Sequence, residues 1–393
     1  MSGSSTPVLL PYGRQSISEE DIAAVVAVLR SDFITQGPAI ARFEERVAAF
    51  CGARHAVAVS SATAALHIGA LALDLKPGDR LWTSPNTFVA SANCALYCGA
   101  GVDFVDIDPR TYNLDVGALA AKLGAAAARG TLPKVLVPVH FAGQPCEMGP
   151  IGELCAAHGV RVLEDASHAV GAEYRGQRIG GRPGPDLTVF SFHPVKIITT
   201  GEGGMLLTND SALYERLLRL RSHGITRDVQ PHGQHDGPWS YAQVDLGFNY
   251  RMTDLQAALG ASQMTRLPDF LERRRALAAR YDRLLASLPL VLPWQHPDTL
   301  SSWHLYVVRP DATRTRVDRA ALYTFLRERG IHAQVHYIPV HTQPWYQAMG
   351  FKPGDFPEAE RYYAGALSLP MYPALSDADQ DRVVVVLQAL LAA

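Results

Sequence analysis

Lysine is scarce in this chain: five occur among 393 residues, and four of them sit in contexts that read as solvent-facing. Lys76 lies in a Leu-Lys-Pro-Gly-Asp turn, Lys122 on an alanine-rich helix, Lys134 just ahead of a strand and Lys352 in a Lys-Pro-Gly loop. Cysteine is scarce too. Cys51, Cys94, Cys98, Cys146 and Cys155 form no CxxC pair and are odd in number, which excludes a complete disulfide framework and predicts reduced thiols. Cys94 and Cys98, at helical i, i+4 spacing, read as small core residues; no His or Cys cluster completes a metal site, so no metal is expected.

An excess of charge is also missing. The formal net charge is -2 and the pI near 6.7, which excludes a general nucleic-acid or membrane-surface binder, so any anionic ligand must be held by a local site. The most apolar tail, Val383 to Ala393, falls well short of the roughly 20 residues that span a bilayer. No basic region followed by an apolar signal core opens the chain. The expectation is a soluble cytoplasmic protein with no nucleic-acid or membrane partner. Hydrophobic residues at 48% and charged residues at 19% leave no long disordered block, and there is no internal repeat.

What the chain does have is alternation. Ser16 and Ser18 can cap a helix over about Glu19 to Arg30, and a second helix near Ala39 to Phe50 leads to an apolar strand at Ala56 to Val59. Further strands are predicted near Arg80 to Thr83, Val102 to Val105, Val135 to Val139, Val160 to Leu163, Thr188 to Phe192 and Met205 to Thr208, with helices between. That pattern predicts an α/β fold with a mostly parallel sheet, whose ligands collect at the carboxyl ends of its strands. From Ser222 to about Tyr241 the pattern breaks into a loop, where His223, His232 and His235 read as solvated residues. Gly247-Phe248-Asn249-Tyr250-Arg251-Met252-Thr253-Asp254 then opens a helix, and a charged helix around Pro268 to Leu288 connects to a second unit. Its strands are predicted near Leu305 to Val308 and Ala333 to Tyr337, and its helices near Val317 to Arg329, Glu358 to Leu367 and Asp377 to Leu391.

Four local features carry chemistry. Lys196, in Ser191-Phe192-His193-Pro194-Val195-Lys196, is the one lysine set among apolar and aromatic residues, just before Thr199-Thr200-Gly201-Glu202-Gly203-Gly204. A lysine in a dry pocket loses its charge and can form a Schiff base, although a lysine snorkelling from a strand end would look the same. Asp165, in Val162-Leu163-Glu164-Asp165, ends an apolar strand, where a carboxylate needs a cationic partner or serves as a cap. Ser60-Ser61-Ala62-Thr63 turns from strand into helix with the composition of an anion cradle, or of simple N-capping. Pro85-Asn86-Thr87-Phe88 offers an aromatic face. Together these are the parts of a pyridoxal phosphate site: an imine-forming lysine, a carboxylate for the pyridine nitrogen, a phosphate cradle and a ring to stack on.

These motifs, with Phe33-Ile34-Thr35-Gln36-Gly37-Pro38 at one end and Leu367-Ser368-Leu369-Pro370-Met371-Tyr372-Pro373 at the other, resemble the DegT/StrS-type nucleotide-sugar aminotransferases. The resemblance implies a fold-type I pyridoxal-phosphate-dependent transferase. It has a large, mostly parallel sheet domain of the seven-stranded type, residues 1–265, and a smaller C-terminal α/β domain, residues 266–393. It further implies pyridoxal 5′-phosphate as cofactor, cycling through pyridoxamine 5′-phosphate. Lys196 would form the imine, Asp165 would meet the pyridinium nitrogen and His168 the ring hydroxyl, where many relatives have glutamine. Ala62, Thr63 and Ser191 would hold the phosphate, Phe88 would stack on the ring, and Asn249 would reach the phosphate from the neighbouring subunit of a homodimer with shared active sites. Ser60-Ser61-Ala62-Thr63 departs from the commoner Asn-Gly-Thr form, and the presence of Lys196 disfavours the histidine-bearing dehydratase branch.

Within the family, Leu10-Pro11-Tyr12-Gly13-Arg14-Gln15, Val335-His336-Tyr337-Ile338-Pro339-Val340-His341, Gly354-Asp355-Phe356-Pro357 and Ala359-Glu360 are most similar to the branch that serves pseudaminic acid biosynthesis. That implies transfer of an amino group from L-glutamate to C4 of a UDP-linked 4-keto-6-deoxy-N-acetyl sugar, giving UDP-4-amino-4,6-dideoxy-N-acetyl-β-L-altrosamine. GDP-perosamine and dTDP-4-aminosugar enzymes remain alternatives. Tyr12, Arg251, His336, Tyr337 and His341 become candidate substrate contacts, although aromatic packing at a domain seam would also account for them.

Overall fold

A computed structural model of the chain describes residues 9–227 and 237–391. His232 and His235 lie outside the described residues. The centre is a seven-stranded sheet formed by β1 (His55–Val59), β2 (Arg80–Thr83), β3 (Gly101–Phe104), β4 (Val135–Val137), β5 (Arg161–Asp165), β6 (Leu187–Ser191) and β7 (Gly204–Thr208), in the spatial order β1-β7-β6-β5-β4-β2-β3. Only β7 runs antiparallel to its neighbours. Val57, Leu136, Leu163, Val189, Phe190 and Leu206 are all fully buried, as expected where both faces of a sheet are covered and the strands read as continuous apolar runs.

Helices on the two faces close separate cores. On one face α1 (Glu19–Leu29), α2 (Pro38–Cys51) and the first half of the long α8 (Asp254–Leu285) pack with Phe43, Phe192 and Met205. On the other, α3 (Ala62–Ala72), α4 (Ala90–Tyr97) and α7 (Ser211–Arg221) enclose Val59, Leu66 and Leu206. Between α4 and α7 in sequence, α5 (Val116–Arg129) and α6 (Met148–His158) pack on each other and extend the first of these cores with Leu119, Leu123, Ile151 and Cys155, beside Trp82 and Leu136. α1 starts where expected: Ser18 accepts from the Asp21 N–H at 3.3 Å and Asp21 returns a bond to the Ser18 N–H at 3.0 Å, a capping box.

Two expectations need correction. The sequence suggests a helix opened by Gly247 to Asp254 and a separate charged helix around Pro268 to Leu288, a proline being a favoured first-turn residue, but the two are one element: α8 begins at Asp254 under a Thr253 cap, as expected, and runs through Pro268 without a break. The buried stripe Leu267, Phe270, Leu271, Leu277, Ala278 and Tyr281 supplies enough packing to override the lost backbone bond. The second concerns Ala333 to Tyr337, which is not a strand. Ile331–His332 pairs in parallel with Leu10–Pro11 and Gln334 makes a single antiparallel bridge to Ser368, after which His336 and Tyr337 turn into the cavity while Val335 packs on the C-terminal core. Lys122 also differs from its surface reading: it reaches the Asp103 carboxylate at 2.8 Å and the Phe104 carbonyl, with Trp82 beneath it.

After α8 comes a three-stranded antiparallel sheet of β8 (Leu290–Val291), β9 (Tyr306–Pro310) and β10 (Leu367–Leu369), covered by α9 (Arg319–Glu328) and the terminal helix Asp377–Leu391. Leu10 packs into this third core with Leu277, Tyr306 and Ile331. The start of the described chain therefore belongs spatially to the C-terminal layer, and it carries Tyr12 toward the main sheet.

Candidate active site

At the carboxyl ends of β5 and β6, a cavity of about 440 Å³ opens between the seven-stranded sheet and the C-terminal layer. Lys196 and Asp165 both line it, with Ala62, Thr63, Phe88, His168, Ser191, Tyr12, His336 and Tyr337. The alternation of strands and helices thus brings one residue set from six separate stretches to a single crevice, as open α/β sheets do.

Lys196 stands on the loop between β6 and β7. That loop is held closed at its base: the Phe192 carbonyl accepts from the Thr200 N–H at 2.9 Å and from the Thr199 hydroxyl at 3.0 Å, and Phe192 N–H donates to the Gly203 carbonyl at 2.9 Å. Gly201 takes φ +81°, the left-handed turn that lets the chain reverse into β7. Burial lowers the Lys196 amine to about 8, while the Asp165 carboxylate acts against that shift. The result is an amine that is a usable nucleophile near neutral pH.

Asp165 is 5% exposed and ends β5. Its Oδ2 accepts from the Ser91 hydroxyl at 2.6 Å and its Oδ1 from the Ser167 N–H at 3.1 Å. Nothing in the sequence singles out Ser91. It lies among small residues of α4, and its only signal is a hydroxyl repeated four residues after Thr87, which meets it at 2.8 Å.

The start of α3 forms the anion cradle. The Ser61 side chain takes the Ala64 N–H at 3.1 Å and its carbonyl takes that of Ala65 at 3.0 Å, so the Ala62 and Thr63 N–H groups have no partner within the helix. β7 approaches this turn so closely that a Cβ on Gly204 would lie 2.5 Å from the Ala62 nitrogen. Ser191 ends β6 beside the same cavity.

Histidines form the opposite wall. His168 Nδ1 accepts from the Ala142 N–H at 3.3 Å, and its Nε2 lies 3.2 Å from the Tyr337 hydroxyl. Burial holds His168 well below the usual imidazole value, with the Lys196 and His336 charges adding to the effect. His336, tied to Ser368 Oγ at 2.9 Å and tilted on Tyr12 with ring centres 5.1 Å apart, is lowered by burial to about 3. His304 is a further lining residue that the sequence did not reveal. Its ring lies 4.3 Å from that of His168, its Nδ1 has no hydrogen-bond partner among the described residues, and burial also holds it well below its ordinary value. The polar run Ser301-Ser302-Trp303-His304 immediately before an apolar strand is the only hint of it.

Other expected residues lie elsewhere. His341 is fully buried away from the cavity, with Nε2 at 2.8 Å from the Glu360 carboxylate and its ring edge-on to Phe356. Its place is structural. Asn249 and Arg251 bridge to Ser222 and Val59, and neither lines the cavity of its own chain. Phe88 sits at the rim, 58% exposed, with its ring centre 6.1 Å from that of Tyr337.

The donor set fits pyridoxal 5′-phosphate. Two unpaired helix-start N–H groups and the Ser191 hydroxyl suit a phosphate, an anchored carboxylate suits a pyridinium, and Lys196 is the only lysine or arginine among the lining residues.

Comparison with known proteins agrees. A sequence profile of the DegT/DnrJ/EryC1/StrS aminotransferase family matches residues 15–388. The spore coat polysaccharide biosynthesis protein SpsC of Bacillus subtilis is 43% identical over 378 residues, covering 95% of each chain. Among solved structures, Helicobacter pylori PseC, an aminotransferase involved in the biosynthesis of pseudoaminic acid, superposes with a TM-score of 0.88 at 32% identity, covering 98% of this chain and 99% of that one. The putative sugar aminotransferase Spr1654 of Streptococcus pneumoniae, in its PLP form, also reaches 0.88, at 28% identity and with the same coverage. The chain therefore belongs to the DegT/DnrJ/EryC1/StrS family and is a pyridoxal-phosphate-dependent sugar aminotransferase.

Proposed function

We propose that the enzyme moves an amino group from L-glutamate to C4 of UDP-2-acetamido-2,6-dideoxy-β-L-arabino-hex-4-ulose, giving UDP-4-amino-4,6-dideoxy-N-acetyl-β-L-altrosamine. The observation that carries the reaction type is the convergence of Lys196, Asp165 and the free α3 N–H groups on one cavity. Ala62, Thr63 and Ser191 would hold the phosphate, Asp165 would meet the pyridine nitrogen, His168 would stand near the ring hydroxyl with its two nitrogens engaged by Ala142 and Tyr337, and Phe88 would pack on the ring. Once bound, the cofactor supplies an electron sink and an amino carrier. Lys196, with its amine lowered to about 8, then moves the proton between carbon atoms on either side of the carried nitrogen.

The likeness to PseC supports the UDP sugar. SpsC, at higher identity, favours a second reading, a different nucleotide 4-keto sugar of the GDP-perosamine or dTDP-4-aminosugar type, destined for another glycan. Tyr12, His336 and Tyr337 are the substrate contacts in either case. We further propose a homodimer in which Asn249 and Arg251 complete the partner's cavity, since they fall outside their own. A cytoplasmic setting fits the five free, buried thiols. A panel of UDP-, GDP- and dTDP-linked 4-keto sugars with L-glutamate, scored for aminated product by mass, tests the assignment. The UDP N-acetyl sugar is expected to give the highest kcat/KM, and preference for a GDP or dTDP sugar would replace it.

A further inference from the structure

The hydrogen bonds around His168 assign its protons, and through them those of its neighbour. Ala142 follows β4 with φ +56°, a conformation unfavourable for a residue with a Cβ, and this turn aims its N–H at His168 Nδ1, 3.3 Å away. Because an N–H is always a donor, Nδ1 must be the acceptor and carry no hydrogen. The ring is neutral, so the hydrogen resides on Nε2, which faces the Tyr337 oxygen at 3.2 Å. The tyrosine oxygen accepts there. Its own hydrogen is left free to point elsewhere, and Tyr337 lines the cavity.

We propose that Tyr337 is the general acid for the keto-sugar half of the reaction, donating its hydroxyl proton to the C4 oxygen with His168 stabilising the phenolate left behind. The assignment rests on the aminotransferase reading above. In the dehydration that opens that half-reaction an amine attacks C4, a C4–N double bond replaces the C4–O double bond and water departs. The oxygen gains two protons and the nitrogen loses two: Tyr337 gives its proton to the oxygen and recovers one from the nitrogen once at addition and once at loss of water, so the tyrosine is regenerated and this dehydration is redox-neutral, the electrons that later reduce C4 coming from the amino carrier. A departing hydroxide is a poor leaving group, and protonating it is where a positioned acid matters most.

The other hydroxyls of the cavity are differently placed. Ser61 caps α3, Thr87 is engaged with Ser91, Ser167 stands beside Asp165, which takes its N–H, and Thr63 and Ser191 lie at the anion cradle. Tyr12, the second phenol, stands against His336, whose Nδ1 is bound to Ser368. Tyr337 alone among these has an imidazole N–H directed at its oxygen. Burial pushes the Tyr337 hydroxyl up, so it carries its proton at neutral pH, while the His168 bond lowers the cost of releasing it.

The test separates the two half-reactions in Tyr337→Phe holoenzyme by stopped-flow absorbance of the cofactor. L-glutamate alone drives the first half, and UDP-2-acetamido-2,6-dideoxy-β-L-arabino-hex-4-ulose drives the second from the pyridoxamine form. The expected result is a sugar half-reaction slowed on the order of 100-fold at saturating sugar, at least ten times more than any slowing of the glutamate half. The glutamate half also reports that the variant is folded and loaded. Equal slowing of both halves would make Tyr337 structural and overturn the assignment. A weaker apparent sugar affinity with an unchanged saturated rate would make it a contact only and overturn it too. If wild-type enzyme reacts with glutamate but with no 4-keto sugar, the proposed function itself fails and the acid role falls with it.

Discussion

The Ser91 hydroxyl donates to Asp165 Oδ2 at 2.6 Å, and the Thr87 hydroxyl stands 2.8 Å behind it. Ser91 has one proton, which the carboxylate takes, so Thr87 must donate to Ser91, and the two hydroxyls are polarised toward Asp165. With Ser167 N–H on the other oxygen, the carboxylate has one orientation before any ligand arrives.

Asp165→Asn keeps the shape and removes the charge. Turnover should fall on the order of 100-fold or more while thermal unfolding stays close to wild type, because the lost term is electrostatic. Steady-state kinetics beside a melting curve measure both. Near-normal turnover in this variant would mean that another group supports the pyridinium.

Lys196 should react as an unusually weak base. Below about 8 it is protonated and cannot attack, above that value it is free, so capture of pyridoxal 5′-phosphate by cofactor-free enzyme should quicken up to about pH 8 and then level off. An exposed lysine would keep gaining to beyond pH 10, its ordinary value being about 10.4. Borohydride reduction at each pH followed by peptide mass mapping reads the rate and the site. Label found mainly on Lys76, Lys122, Lys134 or Lys352 would refute the assignment.

His168, His304 and His336 are all held neutral by burial. Their unfolded counterparts take up protons below about pH 6.5. The unfolded state then binds more protons, so stability rises with pH and is lost on acidification from about 6.5 downward, until His336 titrates in the fold at about 3. Each histidine contributes at most about 1.4 kcal/mol per pH unit. Urea unfolding of cofactor-free enzyme at pH 7, 6 and 5 should show the fall, and His304→Gln should reduce its slope by about one proton. A variant with the wild-type slope would show that His304 takes no part.

Gly204→Ala tests the cradle. The added methyl would lie 2.4 Å from the Ser61 carbonyl carbon, so the turn into α3 must move and its N–H groups with it. Cofactor affinity should drop at least about tenfold, with a stability loss of about 1–3 kcal/mol from overpacking. Equilibrium dialysis and urea unfolding separate the two. Unchanged affinity would place the phosphate elsewhere.

Much of this site is legible in the sequence because it is local. Asp165 and Lys196 announce themselves as polar residues at the ends of apolar runs, and Ser61 to Thr63 as a strand-to-helix turn. What escaped is what only folding brings together. Ser91 meets Asp165 across 74 residues, and nothing in a run of small helical residues distinguishes a functional hydroxyl from filler. His304 arrives from the far side of α8. His341 shares a stretch with His336 and Tyr337, which do face the cavity, but a short helical turn at Val340–Thr342 rotates it onto Glu360. The break expected at Pro268 is absent for an energetic reason, a buried stripe strong enough to carry a proline in mid-helix, while the opening at Asp254 is where the sequence puts it.

Arg274, buried on α8, donates to the carbonyls of Trp303 and Met371 at 3.1 Å and of His304 at 3.3 Å. Burial lowers even this guanidinium, to about 10, and it remains charged. The helix that packs under the main sheet thereby grips the C-terminal wall of the cavity from behind. Of the three carbonyls, one belongs to His304, which lines the cavity. A residue that no ligand touches thus holds part of the cavity wall, and a change at Arg274 would reach the site through the backbone it anchors.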